Sequence, residues 1–165
     1  MTWDILVKIG HIVGTVLGVG GATMAEVFYT KLARGGKMDE TAGMLMKLTY
    51  TMLRLGMLLL VLSGFGYLLM LRFEGHTQYI LGPRVLAKLV ITAIILLNAI
   101  LLQVRKMPMW LGAGISFTSW YAALIIGSWR GLPAGFWGIM FWYAVAAAVV
   151  TFVLHLIHKR EGAKQ

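Results

Sequence analysis

Residues 85–104 read VLAKLVITAIILLNAILLQV and carry a single charged side chain, Lys88. At about 1.5 Å per residue this run forms a helix roughly 30 Å long, which matches the hydrocarbon thickness of a bilayer. Lipid offers backbone groups no hydrogen-bond partners, so a helix is the only open-ended solution for such a segment. The stretch therefore predicts a transmembrane α-helix.

Four further segments share this apolar character. Of the 165 residues, 59% are hydrophobic and only 13% are charged, more apolar surface than a soluble domain of this size can bury. Polar residues make the fourth span the least certain, so four crossings remain an alternative. The sequence predicts an all-α polytopic membrane protein with a single domain, residues 1–165, and a bundle of about five transmembrane helices. The predicted spans are residues 5–30, 48–71, 85–104, 110–129 and 136–157.

Basic residues between the spans predict the orientation. Cytoplasmic loops carry an excess of lysine and arginine, and an outside amino terminus leaves only Arg72, Arg84 and Arg130 in outer segments. The carboxyl terminus is then inside. The inner segments hold Lys31, Arg34, Lys37, Lys47, Arg105, Lys106, Lys159, Arg160 and Lys164.

Charge and cysteine usage narrow the function. The chain has no cysteine, which excludes thiolate metal sites and disulfides, and no phosphate loop or nucleophile–base set is visible. The net charge of +9 is attributed to topology and to an anionic inner leaflet rather than to nucleic-acid binding. We therefore expect the lipid bilayer of a bacterial plasma membrane as the surroundings, and no nucleic-acid partner.

His11 lies within the first span, in the run GHIVGTVLGVGG of residues 10–21. A histidine in hydrocarbon is costly and marks a functional site by default. Gly14 and Gly18 share its helix face, and with Gly10 they form a repeated G-x-x-x-G. Taken alone, this spacing favours a close helix crossing or a homo-oligomer contact. The competing interpretation is a groove for a flat macrocycle beside a ligating His11.

Lys88 enters the third span at about the depth at which His11 lies in the first, from the same predicted side. Both side chains are expected in the outer half of the bilayer. A lysine this shallow can also extend to the headgroups at modest cost. The sequence favours this structural interpretation and a functional role of Lys88 equally. His11 and Lys88 are the candidate catalytic residues, and His11 is the candidate metal ligand.

For the other ionisable residues near span ends, the sequence predicts mainly structural roles. Glu26 and Arg54 are predicted to pair across the first helical hairpin. The alternative is a proton relay, or an anchor at Arg54 for a propionate or other carboxylate. His155 and His158 are three apart, a spacing that suits a metal, but they read better as interface residues. His76 is expected to be solvated in an outer loop rather than to cover the His11 site.

The motifs His11-Ile12-Val13-Gly14 and Leu86-Ala87-Lys88-Leu89 resemble those of small bacterial integral-membrane proteins that include the haem-associated protoporphyrinogen oxidase. The resemblance covers about the first two thirds of the chain. It implies that His11 matches the essential span-one histidine and Lys88 the span-three lysine, with haem b as prosthetic group and a porphyrinogen as substrate. The chain departs from that pattern in having glycines instead of a tryptophan after His11, and no histidine after Lys88 on the third span.

These observations predict a membrane protein that binds haem or a porphyrin in the bundle, as a redox protein or porphyrinogen oxidase. The proposed cofactor-binding residues are His11, Gly14, Gly18, Lys88 and Arg54. One alternative is a small proton or anion transporter with a polar path. The other is an accessory subunit that docks a partner helix on its glycine face. The transport path would consist of Lys8, His11, Lys88, Glu26 and Arg54.

Overall fold

The computed structural model describes residues 2–35, 40–129 and 131–162, which form six helices and, within those ranges, no strand. Five of the helices are long and apolar enough to cross a membrane, including the polar fourth span. The prediction of an all-α polytopic bundle is confirmed, and the protein is a multi-pass membrane protein. The helices are α1 (Thr2–Gly35), α2 (Glu40–Phe73), α3 (Thr77–Ile80), α4 (Pro83–Gln103), α5 (Met109–Ser128) and α6 (Phe136–Gly162).

The connections that follow α2 and α4 are short because each of these two helices ends in a tight turn. α2 ends in a turn in which His76 N–H donates to the Leu71 carbonyl at 2.8 Å and Gly75 adopts φ +76°. α4 ends the same way, with Lys106 N–H on the Leu101 carbonyl at 3.0 Å and Arg105 at φ 56°. These contacts satisfy carbonyls that a helix end leaves unpaired.

α1 and α2 form an antiparallel hairpin whose contact depends on glycine. A Cβ atom added to Gly14 would lie 2.8 Å from the backbone nitrogen of Leu60 and 2.9 Å from the carbonyl oxygen of Gly56. Only residues without a side chain allow the two backbones to approach this closely. Gly14 therefore serves helix packing.

The centre of the bundle is the indole of Trp120 on α5, which is 1% exposed. Its ring lies against Gly18, where any Cβ atom would overlap it. Ala87 and Ile91 of α4 and Tyr143 of α6 complete the core around it. The helix with the most polar sequence is thus the most enclosed, since its small and hydroxyl-bearing residues face other helices rather than lipid.

α2 is held mainly by α1. It also touches α3, but in the described part of the chain it makes no extensive contact with α4, α5 or α6. The outward faces of the helices expose large apolar side chains, such as Leu62 at 60% and Phe65 at 61%, as lipid-facing surfaces do. The gap between α2 and α4 is the origin of the cavity described below.

Candidate functional site

A cavity of about 690 Å³ lies between α1, α2, α4 and α5. We call it the amino-terminal cavity because it lies at the end of the bundle where α1 begins. Its walls are mainly apolar, and its polar side chains come from three helices. The volume is within the range of about 300–1,000 Å³ that is typical of small-molecule sites. The polar side chains are His11 and Thr15 of α1, Tyr67 of α2, Lys88 and Thr92 of α4, and Ser128 at the end of α5.

The structure brings together the two residues that the sequence singled out. His11 and Lys88 both line this cavity, from α1 and α4. Lys88 is only partly exposed and makes no hydrogen bond or ion pair with another residue in the described ranges. Its ammonium group is thus available to an anionic group of a bound molecule.

Hydrogen bonding determines which nitrogen of His11 is available. Its Nδ1 lies 3.0 Å from Oγ of Ser63, and that hydroxyl lies 2.6 Å from the Leu59 carbonyl oxygen. Because the single hydroxyl hydrogen is directed to a carbonyl, Ser63 accepts from Nδ1–H. The other nitrogen, Nε2, then carries a lone pair and has no hydrogen-bond partner among the described residues.

Tyr67 restricts the imidazole from a second side. Its ring packs edge-on against His11 with 5.6 Å between the ring centroids. Ser63 and Tyr67 are four residues apart, so both project from one face of α2. Neither was identified from the sequence, although the small residue Gly56, seven positions before Ser63, indicates the same face of α2.

Two glycines leave open space along the walls of the cavity, and they are not the glycines that the sequence predicted for this role. Gly64 and Gly127 line it from α2 and α5, and a Cβ atom at either position would meet nothing within 4 Å. The prediction that Gly14 and Gly18 form a ligand groove is wrong: α2 fills the first position and Trp120 the second. The glycine face of α1, including Gly10, is covered within the chain itself.

The predicted pair of Glu26 and Arg54 is also wrong. Glu26 Oε1 lies 2.7 Å from Nε2 of His158 instead, and both residues are buried. Arg54 is exposed and forms no ion pair with Glu26. The prediction that His158 is an interface residue is wrong as well, because its side chain is buried against Glu26 of α1.

The remaining predicted residues do not line the amino-terminal cavity. Lys8 forms an exposed ion pair with Asp4 at 2.7 Å. His155 stacks at a tilt on Trp110, with 4.6 Å between centroids. His76 is solvated as expected, 3.5 Å from the Glu74 carboxylate. Within the described ranges no group of three histidine, cysteine or acidic residues is arranged to hold a metal ion.

Comparison of the chain with protein-family models, with curated proteins and with solved structures finds no match.

Proposed function

We propose that this protein binds haem b or a related porphyrin in the amino-terminal cavity, with Nε2 of His11 as axial ligand. The observation that carries the proposal is the hydrogen bond from His11 to Ser63. Metal-binding histidines almost always donate their second ring nitrogen to an acceptor, which orients the ring and fixes the tautomer. Here Nδ1–H is already anchored, and the free Nε2 belongs to a ring that lines the cavity.

The donor set suits a porphyrin better than a bare metal ion. A porphyrin supplies four nitrogen ligands of its own, so one protein ligand suffices, whereas a bare ion needs several protein groups. Gly64 and Gly127 leave space for a flat ring between α2 and α5. Lys88 is suited to pair with a propionate group.

The surroundings of the cavity suit a ligand that dissolves in the membrane. α2 does not close against α4 in the described chain, so the cavity is accessible sideways from lipid. Bound haem supplies one-electron redox chemistry, tuned by its axial ligand and by burial. We therefore propose a redox function in the plasma membrane, with porphyrinogen oxidation as the reaction that the sequence resemblance implies.

The two alternatives have less support. A transport path from His11 to Glu26 would have to pass the packed ring of Trp120 on Gly18, and Lys8 and Arg54 are exposed. An accessory role through the glycine face of α1 is disfavoured because α2 and Trp120 occupy that face.

The test is a titration of the purified protein with haemin, followed by the Soret band. We expect a saturable Soret band in the wild type, its loss in His11→Ala and its retention in His155→Ala. His155 is a matched control, since it is a partly buried histidine at the opposite end of the bundle. A wild-type protein that takes up no haemin would overturn the proposal.

A further inference from the structure

Four basic side chains surround the point where α2 meets the start of α5. The Tyr50 hydroxyl of α2 donates to the sulfur of Met109, the first residue of α5, at 3.8 Å. Two basic residues of each segment lie within about one helical turn of this contact along the chain. We call these four residues the basic cluster. It consists of Lys47 and Arg54 of α2, and of Arg105 and Lys106 in the turn between α4 and α5.

The positive charge of the basic cluster is not balanced within the described part of the chain. All four side chains are exposed, and none of them forms an ion pair or a hydrogen bond with a described residue. The described acidic residues at this end of the bundle are Glu26, which is buried against His158, and Glu40, the first residue of α2. Glu40 is about 10 Å from Lys47 along the helix, at about 1.5 Å per residue. The cluster is therefore available to an anion from outside the chain.

An apolar groove leads from the basic cluster to the amino-terminal cavity. It follows the gap between α2 and α4, which make no extensive contact in the described ranges. Val61 and Phe65 of α2 and Leu89 of α4 line the cavity and are also exposed on its lipid side. Arg54 shares their side of α2, because it lies seven residues before Val61 and eleven before Phe65. From Arg54 to Phe65 the helix rises about 16 Å, about half of the hydrocarbon core. The groove thus has the length of one leaflet of acyl chains.

We propose that an anionic phospholipid binds in this groove, with its phosphate held by the basic cluster and an acyl chain along Val61 and Phe65. Leu55 and Leu58 beside Arg54 are 51% and 54% exposed, so the arginine lies on a lipid-facing surface, where an unpaired cation is costly. Arginine binds a phosphate group through two parallel hydrogen bonds. Basic pockets between transmembrane helices bind acidic lipid headgroups in the same way. The inference is independent of haem binding.

A lipid in this groove joins parts of the bundle that otherwise touch little. α2 is held mainly by α1. The headgroup bridges α2 to the turn between α4 and α5, and the acyl chain fills the gap beside the amino-terminal cavity. A ligand that binds only the folded state raises the melting temperature. Thermal stability in detergent is therefore a direct readout of lipid binding.

The experiment compares melting temperatures of the purified protein in detergent micelles that contain phosphatidylglycerol or phosphatidylcholine of the same chain length and mole fraction. Phosphatidylglycerol is expected to raise the melting temperature above the phosphatidylcholine value by about 4 °C at ten times its dissociation constant. The difference should decrease as salt is added, because exposed charges are screened. Equal melting temperatures in the two lipids would overturn the proposal.

Variants locate the effect. Arg54→Gln and Lys106→Gln, one on each side of the groove, are each expected to weaken the apparent affinity for phosphatidylglycerol about fivefold. Arg72→Gln is the control, because it removes the same charge from an exposed arginine in the last turn of α2, at the opposite end of the bundle. An equal loss in Arg72→Gln would indicate a general attraction to a basic protein and overturn the proposal. A loss in only one of the two cluster variants would overturn it as well.

A second copy of the chain is the other occupant that the same variants test. Light scattering in phosphatidylcholine micelles gives the oligomeric mass, which is expected to be equal for the wild type and Arg54→Gln. A wild-type dimer that dissociates in Arg54→Gln would assign the basic cluster to a protein contact and overturn the proposal.

Discussion

Ser63 on α2 accepts a hydrogen bond from Nδ1 of His11 on α1 at 3.0 Å. The contact joins the two helices of the hairpin at the point where the amino-terminal cavity begins. It assigns the imidazole a tautomer and an orientation that ligand binding can use. The proposed haem site depends on this pair.

Removal of the Ser63 hydroxyl tests that dependence. Ser63→Ala leaves His11 in place but without its acceptor, and loss of such a partner typically weakens metal affinity by about 10–100-fold. Haemin titration is the measurement, with Ser119→Ala as the control because that serine bonds to Tyr143 elsewhere in the bundle. Equal affinity in Ser63→Ala and the wild type would contradict the role of Ser63.

Lys88 is expected to recognise a carboxylate of the ligand. The wild type should bind haemin about tenfold more tightly than haemin dimethyl ester, because a charge-assisted hydrogen bond contributes about 1.5–3 kcal/mol. In Lys88→Met the two ligands should bind equally. A preference for the free acid that persists in Lys88→Met would place the recognition elsewhere.

The cavity can be filled without disturbing the fold. Gly64→Leu adds a side chain where a Cβ atom meets nothing within 4 Å, so haemin binding should be lost while the melting temperature stays close to that of the wild type. Gly20→Leu is the control, because that glycine also has open space but does not line the cavity. Undiminished haemin binding in Gly64→Leu would show that the ligand binds elsewhere.

Gly14 is expected to matter for stability instead. Gly14→Ala places a methyl group against the backbones of Leu60 and Gly56, and such overpacking costs about 1–3 kcal/mol. Gly20→Ala, in open space on the same helix, should be neutral or stabilising by about 0.5–1 kcal/mol because glycine is a poor helix former. Thermal unfolding in detergent gives both values. Similar melting of the two variants would contradict the packing role of Gly14.

The sequence alone predicts the five long helices and the shared depth of His11 and Lys88. Hydropathy locates the long apolar segments. Residues at equal depth in spans that begin at the same end of the bundle are then expected to lie in the same layer of the membrane, as His11 and Lys88 do. The prediction that Gly14 and Gly18 form a groove fails because glycine spacing does not reveal what fills it. The space at Gly14 is filled by the backbone of α2, and the space at Gly18 by Trp120, about a hundred residues away.

The partner of Glu26 could not be predicted from the sequence for a related reason. Arg54 is close along the hairpin, and a contact between neighbouring helices is the simplest expectation. The observed partner, His158, lies on the last helix. The contact between Glu26 and His158 requires α6 to pack parallel to α1, and that arrangement follows from the side-chain packing of the whole bundle.

The most direct test of the central claim is chemical rescue of His11→Gly. The wild type loaded with haemin should show a Soret band of imidazole-ligated haem, which His11→Gly should lose and added imidazole should restore. His155→Gly should behave like the wild type throughout. A Soret band in His11→Gly identical to that of the wild type, without imidazole, would contradict the assignment of His11 as the axial ligand.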